Sequence, residues 1–75
     1  MNKIAVFDQI DAALIAGELP PKCANAWMAA GDNATGTEGS DEFKISAVES
    51  LSLTAPFQEN ESVREYFDTK FGYQW

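Results

Sequence analysis

Apolar side chains recur at helical spacing near both ends of this chain. Ile4, Phe7, Ile10 and Leu14 lie three, three and four residues apart, and Ala13, Ile15 and Ala16 thicken the stripe. One buried helical face has this period, so a helix is predicted between residues 3 and 17. Its start has two readings: Asn2 caps a long helix, or Asp8 caps a shorter one preceded by an extended run over residues 3–7. Gly17 and the pair Pro20-Pro21 end it. Pro21 suits the first turn of a second helix, where its missing amide hydrogen costs nothing. The alanine-rich run over residues 22–30 propagates that helix, and Gly31 closes it. Cys23, Trp27 and Ala30 share one of its faces, which makes Cys23 a small core hydrophobe.

At the other end Pro56 marks a break and Asn60 is a good cap. Val63, Tyr66, Phe67 and Phe71 then trace a stripe that Gly72 terminates, which predicts a helix over residues 61–71. Residues 31–40 hold three glycines and a single aliphatic side chain, so they read as a loop.

The segment after that loop fits two templates. Ser40 followed by Asp41 and Glu42 resembles a helix start, with Phe43, Ala47, Val48 and Leu51 on one side. As a strand, Phe43, Ile45, Ala47, Leu51 and Leu53 share the odd-numbered face and the serines at 46, 50 and 52 the even one. A strand needs a partner, and the available one is the run over residues 3–7. The expected fold is therefore mainly α, one small domain over residues 1–75 with three or four short helices. The alternative is α+β, with a two-stranded sheet of residues 3–7 and 43–53 packed on helices.

Composition narrows the chemistry. Seventy-five residues bury only about 60% of the surface their unfolded chain exposes, so stability is marginal and association with a partner adds to it. The hydrophobic fraction of 45% still exceeds what a disordered acidic chain carries, so the chain is expected to fold. With no histidine there is no imidazole base, and with one cysteine there is neither an internal disulfide nor a Cys/His zinc site. The longest apolar stretch is too short for a membrane span, and Asp8 and Asp11 interrupt what would have to be an uncharged signal-peptide core. The expected compartment is cytoplasmic.

Charge changes the picture most. The formal net charge is -7, from twelve acids and five bases. Residues 32–61 carry seven of those acids, Asp32, Glu38, Asp41, Glu42, Glu49, Glu59 and Glu61, against the single base Lys44. Such a surface repels nucleic acid and anionic membrane and steers toward basic patches. The final ten residues hold five of the nine aromatics. Tyr73 and Trp75 lie past Gly72, and they either fold back over the first two helices or form an apolar patch for a partner or second copy.

Catalytic and metal readings fare poorly. From Asp32 the calcium-loop register places Ala34, Gly36 and Phe43 where ligands belong. The glycines over residues 31–37 are spaced as in a phosphate loop, but Thr37 stands where the lysine must be. The carboxylate pairs Asp8 with Asp11 and Glu61 with Glu65 fall on helices as solvated surface flanking a core stripe. The expectation is a non-enzymatic protein that needs no cofactor or metal.

In size and acidity the chain resembles the small accessory proteins that bacteriophages make against host restriction and CRISPR systems, some of which present carboxylates where DNA presents phosphates. The resemblance is one of composition and covers no motif. It implies an inhibitor or antagonist that covers a basic, nucleic-acid-binding surface of a larger protein. The seven acids of residues 32–61 would steer and seat the complex, with Tyr73 or Trp75 as anchor. The alternative is a structural or regulatory subunit that homodimerises, or joins an assembly, through its aromatic C-terminal face.

Overall fold

A computed structural model describes residues 2–75, and all regular structure among them is helical: α1 (Lys3–Ile15), α2 (Pro21–Asn33), α3 (Asp41–Leu51), α4 (Ala55–Glu59) and α5 (Glu61–Phe71). The fold is thus mainly α, four helices of about three turns plus the short α4.

Asn2 decides where α1 begins. Its side-chain Oδ1 accepts the Ala5 amide at 2.8 Å, so the long helix forms and Asp8 lies within it. Gly17, at φ +73°, ends it in a Schellman turn: the Gly17 amide donates to Leu14 O and the Glu18 amide to Ala13 O. The buried line is Val6, Ile10 and Ala13, flanked by half-buried Phe7 and Leu14. The expected stripe thus had the correct period but its centre was displaced, and Ile15, expected to thicken it, is 81% exposed.

Gly31 does not close α2. The helix continues to Asn33 and stops at Ala34, whose backbone is extended. Tertiary contacts hold the added turn: Ala30 is fully buried, Ala34 packs on the core, and the Thr35 amide donates to Ser46 Oγ of α3 at 2.9 Å. The loop is correspondingly shorter, residues 34–40. Cys23, Ala26, Trp27 and Ala30 form the buried face of α2.

The two-stranded sheet of residues 3–7 and 43–53 does not form. Residues 3–7 are the first turns of α1, and residues 43–51 lie in α3, where Ser40 Oγ accepts the Phe43 amide at 3.1 Å. Ala47, Val48 and Leu51 are fully buried at helical spacing, whereas Leu53, on the same strand face, is 71% exposed. Once α1 takes residues 3–7, a strand at 43–53 would leave its backbone groups unpaired.

Pro56 does more than break the chain. It occupies the first turn of α4, which places Phe57 in the core. Thr54, buried before it, donates its hydroxyl to Leu51 O at 2.7 Å and closes α3. Asn60 stands at the cap position of α5, but its side chain turns back and donates to Pro56 O at 3.1 Å. Arg64 donates to the carbonyls of Phe57 and Gln58, so the last turn of α4 is capped from α5. Gly72, in the left-handed region at φ +61°, ends α5 as expected.

The aromatic tail folds back, with Trp75 on α3, α4 and α5 and Tyr73 near Lys3 at the start of α1. Trp75 Nε1 donates to Val48 O at 2.7 Å, taking up a carbonyl of the last turn of α3. Its ring centroid lies 6.0 Å from that of Phe57, 5.8 Å from Phe67 and 4.8 Å from Tyr73. These rings and the Val48 carbonyl lie on the side of the domain that the tail can reach in three residues from Gly72.

Deleting residues 73–75 removes this packing and leaves the Val48 carbonyl without its donor, a loss of about 2 kcal/mol. For a domain this size that lowers the melting temperature by roughly 10 °C. Thermal unfolding followed by circular dichroism checks it, and an unchanged midpoint would show that the tail lies outside the cooperative unit.

Cys23 supplies a second check. It is 3% exposed, and burial pushes its thiol above the ordinary value of 9.0. The unfolded thiol ionises first, so its contribution to stability is complete below about pH 9 and is lost as the pH rises through the folded value. At pH 8 iodoacetamide is expected to modify the native protein about tenfold or more slowly than the urea-unfolded chain. Equal rates would contradict the burial.

Candidate functional site

α1, α2 and α3 meet around a cleft of about 450 Å³. α1 contributes Phe7, Asp8, Asp11 and Leu14, α2 contributes Trp27, Met28 and Gly31, the loop Glu38 and Gly39, and α3 Phe43, Lys44 and Ala47. The wall is aromatic: the Phe7 ring lies 5.2 Å from that of Trp27 and 6.1 Å from that of Phe43, edge-on to the latter. Phe7, Asp8, Asp11 and Leu14 reach one side because they are spaced three or four residues apart on α1. Met28, 60% exposed, stands at the edge.

Three carboxylates and one ammonium line this cleft, a formal net of -2. Lys44 Nζ lies 2.9 Å from Asp8 Oδ1 and 5.7 Å from the centroid of Phe7. The hydrogen bond to Asp8 raises the Lys44 pKa above its ordinary 10.5, and the charges of Asp8, Asp41 and Asp11 add to that against a lowering from burial. Trp27 Nε1 reaches Asp11 Oδ1 at 3.5 Å, at the outer limit of a hydrogen bond. The arrangement suits a cation with an apolar or planar stem: rings for the stem and carboxylates for the charge.

The structure divides the acidic residues expected to form one docking flank. Glu38 lines the cleft, and Asp41 lies close enough to act on Lys44. Glu42 stands beside Asp41 in the first turn of α3, its side chain against Gly36 of the loop. Asp32 is exposed in the last turn of α2. Glu49 is drawn away into an ion pair with Lys3, whose ammonium is held above its ordinary range by that hydrogen bond, with Tyr73 adding a smaller effect. Glu59 ends α4 and Glu61 begins α5, on other helices from those that line the cleft. Tyr73 and Trp75 are half-buried against the core.

Asp8 is exposed and Asp11 half-buried beside the core stripe, and both line the cleft. The available signal was their placement between Phe7 and Leu14, acids interleaved with the edge of an apolar stripe. Among the described residues no group of three or more His, Cys, Asp or Glu side chains is placed to hold a metal ion. Among them also, no helix is long and apolar enough to cross a membrane.

Comparison with protein-family models, with curated proteins and with solved structures finds no match to this chain.

Proposed function

We propose that this protein is a non-enzymatic inhibitor or antagonist that docks through the cleft and its acidic surround onto a basic, nucleic-acid-binding surface of a larger protein. The observation that carries this reading is the gathering of Asp8, Asp11, Glu38 and Asp41 around an aromatic wall with Lys44 as the single cation. Like charges held together disfavour each other, and a cationic partner relieves that repulsion while desolvating the rings. The carboxylates would stand where a nucleic acid presents phosphates, which supports a partner of the kind that phage anti-restriction and anti-CRISPR proteins block. The same acidity disfavours direct binding to nucleic acid or anionic membrane.

A subunit that dimerises through its aromatic C-terminal face is the second reading. It has less support, because Phe57, Phe67, Phe71 and Trp75 already pack within the domain.

The test is capture of host proteins from lysate on the immobilised chain, with elution by rising salt, followed by a nucleic-acid-binding assay of each retained protein. The expected partner elutes with salt and loses its nucleic acid when this protein is added. The triple variant Glu38→Gln, Asp41→Asn, Glu42→Gln should associate about tenfold more slowly at low ionic strength, with its helical circular dichroism spectrum retained. A partner that keeps its nucleic acid, or an association rate indifferent to salt and to the variant, would refute the proposal.

A further inference from the structure

We infer that the cleft between α1, α2 and α3 receives an arginine side chain from the partner, and that this guanidinium displaces the Lys44 ammonium. The inference rests on the docking role proposed above and names the chemistry it uses.

The fold itself shows which kind of group the site takes. Lys44 Nζ sits over the Phe7 ring and against Asp8, so the cleft already holds one cation, supplied by its own chain. That occupant leaves Asp11 and Glu38 facing the same space, and one ammonium offsets only one of the three lining charges. Lys44 is held there by Asp8 and the Phe7 ring with its side chain 24% exposed, so a guanidinium that takes those partners must turn the long Lys44 stem out to solvent. An ammonium is a compact, strongly hydrated point charge. A guanidinium is planar and weakly hydrated, stacks on aromatic faces and bonds carboxylates through two parallel N–H groups. The half-buried Phe7 ring beside two carboxylates matches it better than it matches a second lysine. The volume of about 450 Å³ falls in the range of about 300–1,000 Å³ common for ligand clefts.

The two indole N–H groups report on occupancy separately. Trp27 Nε1 points to Asp11 at the cleft, and Trp75 Nε1 is bonded to Val48 O within the core packing. The experiment is a nuclear magnetic resonance titration of the full chain, at low ionic strength, with a blocked peptide alternating arginine and glycine. The same peptide carrying lysine or neutral citrulline in place of arginine serves as comparison.

The arginine peptide should move the Trp27 indole resonance and leave that of Trp75 in place. The lysine peptide should bind about threefold or more weakly, and the citrulline peptide should not bind. Lys44→Ala, or Lys44→Met if the alanine variant does not fold, should tighten the arginine peptide by about threefold or more, because the internal competitor is gone. Asp11→Asn with Glu38→Gln should weaken it by about tenfold. Binding of the arginine peptide with the Trp27 resonance unmoved would overturn the cleft assignment and leave the acidic docking role standing. Equal affinity for arginine and lysine would overturn the guanidinium preference, and no gain on removing Lys44 would overturn the displacement. If neither cationic peptide binds at low ionic strength, the docking role fails as well.

Discussion

The packing of α3 against both α1 and α2 is the constraint from which the rest follows. Ala26 and Ala30 of α2 and Ala47 of α3 are fully buried, and Ala13 of α1 nearly so. Small side chains at these positions let helices approach closely while larger ones fill the space around them. Val6, Ile10, Val48 and Leu51, all without exposure, supply that filling. With the three helices held in this way, Phe7, Trp27 and Phe43 meet on one side of the contact and cannot close over it completely. The cleft is therefore a product of core packing.

Charge placement follows from the same contact. α3 carries Asp41 and Glu42 in its first turn, where carboxylates suit the positive end of the helix dipole. Packing brings that end beside Asp8 and Asp11 of α1, a juxtaposition that like charges resist. Lys44, one turn further along α3, faces Asp8 and offsets part of the repulsion. Both ion pairs among the described residues, Lys44 with Asp8 and Lys3 with Glu49, join α1 to α3, so they reinforce the contact that creates the acidic surface. Exposed pairs of this kind contribute little to stability, and their effect here is on where the remaining carboxylates point.

The remainder of the domain supports that arrangement from the opposite side. α4 and α5 bring Phe57, Phe67 and Phe71 against the core, and the chain end completes it through Trp75. The carbonyls of the last turn of α3 are taken by the Trp75 indole, the Leu53 amide and the Thr54 amide and hydroxyl. A helix end under an aromatic cover needs such donors, since a buried carbonyl without one is costly. The aromatics most suggestive of an interface are thus largely structural, with Phe57, Phe67 and Phe71 buried and Tyr73 and Trp75 half-buried against them.

Local chemistry was legible in the sequence. The Gly17 and Gly72 stops, the proline start of α2 and the helical period of α1 and α5 involve residues within a turn of one another, whereas the Asn2 and Ser40 caps were each one of two open readings that the structure resolves. The face shared by Cys23, Trp27 and Ala30 was legible for the same reason. Choices between equal local patterns were made by long-range contacts. The sheet of residues 3–7 and 43–53 lost because α1 claimed its only partner strand; α2 ran through Gly31 because α3 held the turn beyond it; Trp75 settled on α3 to α5 because the Val48 carbonyl and the rings of Phe57 and Phe67 stood within its reach. The centre of the α1 stripe and the place of Asp8 and Asp11 in the site likewise depended on what lay across from them. Sequence by itself determined the helical periods of α1, α2 and α5 and the concentration of negative charge in the middle of the chain. Only the tertiary structure decided which carboxylates share a surface with which rings, because that depends on how helices cross, and crossing is set by the fit of side chains far apart in the chain.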